Sequence, residues 1–177
     1  MKLVNLQDYF LGNLHQYFEM VVYSVFSFLV PFFIGHPQIA VGIIVNAMLI
    51  VSALNLKGAK LLPIIILPSI AMVSRGLLFG PFTIYLVYLL PFIWIGNTLI
   101  ILCFKFFKLR LKKNYWFTLV LGAAFKSGFL FLAAFALYSL GIIPAVFLTA
   151  MGIMQLITAL LGGTAAYAVH NAKKHLG

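Results

Sequence analysis

The sequence predicts an all-α integral membrane bundle of six transmembrane helices with both termini cytoplasmic, and three observations lead there. Of 177 residues, 64% are hydrophobic and 8% charged, which leaves too few polar side chains to coat a water-soluble globule. Short breaks containing Gly or Pro divide the chain into apolar runs, each near the length of one membrane crossing. The basic residues fall on alternate connections only, as expected of a chain oriented by the positive-inside rule. Eighteen Phe and eight Tyr stand against two acidic residues, Asp8 and Glu19, a balance that suits a lipid-facing surface. The whole of 1–177 is expected to form one transmembrane domain.

The first sixteen residues, MKLVNLQDYFLGNLHQ, lack the short apolar core and small-residue cleavage site of a removable signal peptide. They are expected to form a short interfacial helix with Leu3, Leu6, Tyr9, Phe10 and Leu14 on one side. No charge occurs between Glu19 and Lys57, and Gly-His-Pro-Gln at 35–38 splits that stretch into spans of about 17–35 and 38–55. Lys57, Gly58 and Lys60 make a basic turn before a third span, 61–79, in which Pro63 fits the first helical turn and Pro68 predicts a kink. After the Gly80-Pro81 break, 82–104 reads as a fourth span containing Pro91 and Trp94, ended by the run KFFKLRLKK at 105–113. Tyr115 and Trp116 open a fifth span to about 140 as an aromatic belt. A break at 141–144 precedes a sixth span to about 169.

Alternating these connections across the bilayer puts Lys2, Lys57, Lys60, the cations of 105–113, Lys173 and Lys174 on one face, with Arg75 alone near the other. The basic face is therefore assigned to the cytoplasm. The formal charge of +10 follows from this topology, so nucleic acid is not an expected partner; the lipid bilayer is. No P-loop is present for nucleotide hydrolysis. The lone Cys103 excludes an internal disulfide and reads as a small apolar packing residue. His15, His36, His170 and His175 lack metal-ligand spacing, and no carboxylate pair exists for acid–base work, so neither enzyme activity nor a cofactor is expected.

The informative residues are the polar ones inside the spans. A charged group at the bilayer centre costs roughly 2.5 to 3.5 kcal/mol on insertion scales. Lys126 lies deep in the fifth span beside Gly122, Ala123, Ser127 and Gly128. It reads either as a buried cation for an anionic solute or as a lysine that snorkels or bonds free carbonyls of a kinked helix. Arg75, near the outer end of the third span, reads either as a second solute contact, able to grip carboxylate or phosphate, or as an interfacial anchor. Asn46, Asn97 and Gln155 sit mid-span in three other helices. Each must find a partner, in a ligand or in another helix. Gln38 and His36 are placed to border the mouth of such a pocket. Ala159, Gly162, Gly163, Ala165 and Ala166 form a small-residue face on the sixth span, suited to internal packing or to docking another protein. The alternating cations and apolar residues of KFFKLRLKK suit an interface with anionic lipid, but their topological role is sufficient explanation and no chemistry is assigned to them.

The stretches VGIIVNAMLI around Asn46, LPFIWIGNTLII around Asn97, AAFKSGFLF around Lys126 and MQLITALLGGTAAY around Gln155, with the six-span layout, resemble a substrate-binding S component of a bacterial energy-coupling factor (ECF) transporter. The resemblance implies a vitamin-like or other micronutrient solute bound near the outer face. It also implies uptake driven by a separate transmembrane coupling subunit and two ATPase subunits in the bacterial plasma membrane. It makes Asn46, Arg75, Asn97, Lys126 and Gln155 the candidate solute contacts, and it turns the first and sixth spans toward the coupling subunit. The family's pair of alanines four apart in the first span is absent from EMVVYSVFSFLVPFF, and the small face of the sixth span is the candidate substitute. The rival expectation is a non-transporting membrane scaffold of similar fold, for example in cell-wall machinery, with its amides used for packing and no ligand.

Overall fold

A computed structural model describes residues 3–8, 12–34, 37–76 and 83–176, with side chains described as far as Ala172. Tyr9, Phe10, Gly35, His36, the Gly80-Pro81 break, Lys2 and the side chains of Lys173, Lys174 and His175 lie outside the described residues. The elements are α1 (Asn13–Phe33), α2 (Gln38–Asn55), α3 (Leu62–Arg75), α4 (Thr83–Cys103), α5 (Tyr115–Ser139), α6 (Val146–Met151) and α7 (Ile153–Leu176). No strand occurs among the described residues. Among the described residues, six helical stretches are long and apolar enough to cross a bilayer, counting α6 with α7 as one. The protein is an all-α, multi-pass membrane bundle. The shortest stretch has 18 residues, or roughly 27 Å at 1.5 Å per residue, close to the thickness of the hydrocarbon.

Every backbone polar group at that depth must bond within the protein, which is why helices alone carry the spans. Their outward faces present Phe18, Phe26, Phe117, Leu132 and Leu140, all exposed. Inward, α2 is the central element. It packs on α7, α1, α4 and α3, and Leu49, Ile50, Ala53, Leu54 and Leu56 have no exposed surface. Close approach of α2 and α7 rests on Gly162, where a Cβ would come within 2.5 Å of Ile43 O and 2.8 Å of Asn46 Cβ. The small-residue face of the sixth span therefore serves internal packing: Ala159 and Ala166 are fully buried, and Gly163 lies against Leu119. That use of its main buried positions removes them as a substitute docking surface.

Three elements depart from expectation. Among the described residues of 1–12 no interfacial helix is formed. Residues Leu3–Asn5 form one 3-10 turn, and α1 already begins at Asn13. The strap is held by tertiary bonds instead: Asp8 N donates to Leu54 O at 2.8 Å, and Leu6 O accepts from Lys105 Nζ. At the far end of α4 the chain stays helical past residue 104 and widens into a π-helix, Phe104–Arg110. The expected single sixth span is broken at Gly152, whose φ of −95° and ψ of −101° interrupt the helix. A Cβ there would lie 2.8 Å from Leu148 O and 3.0 Å from Phe131. Interrupted backbone at membrane depth is tolerated where it lines a cavity, and Met151, the last residue of α6, lines one.

Candidate functional site

That cavity, of about 100 Å³, lies between α2, α3, α4, α5, α6 and α7. A single water needs roughly 10–15 Å³ on this measure, so the space holds several waters or one small molecule. Its wall is mostly apolar, with Val41, Val45, Met72, Leu86, Ile93 and Met154 among the lining residues. Four of the five residues expected at the site, Asn46, Asn97, Lys126 and Gln155, line it, each from a different helix.

Lys126 is 2% exposed, and its Nζ donates to Asn46 Oδ1 at 2.6 Å. Asn46 in turn donates through Nδ2 to Gly42 O at 2.9 Å and to Thr158 Oγ1 at 3.2 Å. Thr158 Oγ1 donates to Gln155 O at 3.3 Å, which links α5, α2 and α7 in one polar chain. Gly42 makes room for it, since a Cβ there would meet Thr158 Cγ2 at 2.8 Å. With both amide ends of Asn46 engaged, its carbonyl is fixed toward the ammonium. An ammonium has three N–H donors. Asn46 Oδ1 is the protein acceptor bonded to Lys126 among the described residues, and no carboxylate lines the cavity. Asp8 pairs with His170, and Glu19 accepts from Tyr23 Oη.

The other expected residues divide by role. Asn97 donates to Ile65 O at 3.0 Å, in the turn that Pro68 loosens by lacking an N–H. Beside it, Trp94 Nε1 donates to Ser69 Oγ at 2.8 Å and Ser69 Oγ to Ile66 O at 2.9 Å. Gln155 and Gln38 border the space. Arg75 is not among the lining residues. Its Nη1 donates to Phe32 O, one of the last carbonyls of α1 that no helical N–H can reach. Arg75 thus ties the end of α3 to the end of α1.

Thr158, Ser69 and the methionines at 72, 151 and 154 were not anticipated. The signal for Thr158 and Met151 was helical spacing, three and four residues from Gln155. No protein-family model, no curated protein and no solved structure matches this chain.

Proposed function

We propose that this protein binds a small, singly anionic solute in the membrane and acts as an S component. Uptake would be driven by a separate ECF coupling subunit with two ATPase subunits, the basic end facing the cytoplasm. The observation that carries the proposal is the Lys126 ammonium lining a mid-span cavity with one side-chain acceptor. A buried cation without a counter-charge is costly in hydrocarbon, and a carboxylate removes that cost while accepting the remaining N–H groups. One cation fits one negative charge. With Arg75 at the end of α1, a doubly charged phosphate ester would bring a charge that nothing lining the cavity neutralises. The apolar wall suits a ligand with a compact hydrocarbon body, and Gln155 and Gln38 add amide contacts for any polar substituent.

Native mass spectrometry of the protein purified in mild detergent tests the reading. A co-purified acid of low mass that disappears in Lys126→Met is the expected result. An empty protein that captures membrane or cell-wall proteins equally well with and without Lys126 would replace the transporter reading with the scaffold.

A further inference from the structure

A second concavity, of about 350 Å³, opens at the basic end, where the α4–α5 connection meets the last turns of α7. Lys108, Lys112 and Lys113 line it together with Asn114, Trp116 and His170. The run KFFKLRLKK thus has more than a topological role, because the π-helix sorts its cations. Lys105 turns inward to the strap. Arg110 lies 5.7 Å from the Phe106 ring centroid. Leu111 N bonds back to Phe106 O and Lys113 N to Phe107 O, both at 2.9 Å, while Lys112 takes a left-handed φ of 51°. This conformation is uncommon for a residue with a long side chain. It doubles the chain back so that Lys112 and Lys113 join Lys108 around one hollow.

We propose that this hollow recognises the phosphate of an anionic lipid headgroup. Three lysines line one concave site, and none has a carboxylate partner among the described residues. Of the two acidic residues toward this end, Asp8 lies 3.2 Å from His170 Nε2 and Glu19 accepts from Tyr23 Oη. Like charges gathered this way repel unless an anion lies between them, and a lipid phosphodiester offers one negative charge shared by two strong acceptor oxygens to ammonium and amide donors. The 25-residue α5 begins in the hollow, so its positive dipole end adds to the field. Asn114 Oδ1 caps that end by accepting from Trp116 N at 2.8 Å. The wall is aromatic, with Tyr167 4.8 Å from Tyr115 and 5.0 Å from Trp116 between ring centroids. Such rings settle at headgroup depth, where a basic pocket between spans meets anionic lipid. The apolar solute cavity shares none of these residues.

The test is native mass spectrometry of delipidated protein titrated with phosphatidylglycerol, phosphatidylcholine or glycerol 3-phosphate. Preferential retention of phosphatidylglycerol is expected. It should weaken about 100-fold, roughly fivefold per lysine, in Lys108→Gln/Lys112→Gln/Lys113→Gln. Lys57→Gln/Lys60→Gln, on the same face, should leave it unchanged. Asn114→Asp keeps a competent helix cap but places a negative charge in the hollow. It should weaken retention several-fold even if the triple variant fails to fold. Glycerol 3-phosphate binding lost in the same variants would assign the phosphate to a soluble ester, and lipid binding without it assigns the headgroup. Equal retention of phosphatidylcholine, or equal losses in the Lys57/Lys60 control, would overturn the site.

Discussion

Lys105 and Lys126 are 0% and 2% exposed, and the two halves of the bundle treat them in opposite ways. Lys105 sits at the basic end, where α2 runs into a dense core with Leu61, Ile64, Ile100, Phe104 and Tyr115. Its Nζ is held by two main-chain carbonyls, Leu6 O and, at 2.5 Å, Leu56 O. Lys126 lies where the helices part around a cavity, bonded to one side-chain oxygen. Burial alone therefore does not separate a structural lysine from a binding one. The acceptors do: an ammonium ringed by main-chain carbonyls fixes the fold, whereas one beside open space has donors left for a ligand.

The sharpest ways to break this contrast begin in the packed region. Gly162→Leu would drive a side chain into the α2 backbone at Ile43 and should destabilise by about 3 kcal/mol or more; a normal thermal midpoint in detergent would show that the α2–α7 contact is looser than described. Lys105→Met removes the donor shared by Leu6 and Leu56 and should cost about 3 kcal/mol. Its signature is a lowered melting temperature with solute retention intact in the cold, and the reverse pattern would make Lys105 the binding lysine. Lys126→Met should do the opposite, leaving stability within about 1 kcal/mol, since an apolar replacement also relieves a buried charge. Solute affinity should fall roughly 10- to 100-fold for the lost charged hydrogen bond, read by titration calorimetry once the solute is known. The smallest effect belongs to Arg75→Gln, which loosens the end of α1 at a cost of about 1 kcal/mol or less. A large loss of solute binding there would return Arg75 to the site.

Much of the architecture was legible because hydrocarbon imposes a strict rule on the sequence. Gln38–Asn55 and Tyr115–Ser139 fall almost where the apolar runs placed them, since charge and Gly or Pro breaks mark where a span must stop. The convergence of Asn46, Asn97, Lys126 and Gln155 was legible for a related reason: a polar side chain at that depth has nowhere to turn but inward. What escaped was phase and partner. Lys105 reads as one more interfacial cation until the π-helix rotates it under the strap. Arg75 faces α1 because Phe32 O lies there, a tertiary fact with no local signature. The break at Gly152, where a Cβ would meet Phe131 of another helix, is not announced by a lone glycine among apolar residues.

The strap also fixes an order of assembly. Leu6 is made early, yet its partner lies 99 residues further along, and Asp8 pairs with His170 near the end of α7. A growing chain delivers its N-terminal parts first, so the strap has no lysine to hold it until α4 has been made, and no histidine until α7 has. The bond from Asp8 N to Leu54 O can form once α2 is made, but the contacts with Lys105 and His170 complete the closure of the basic end only as the later spans are added.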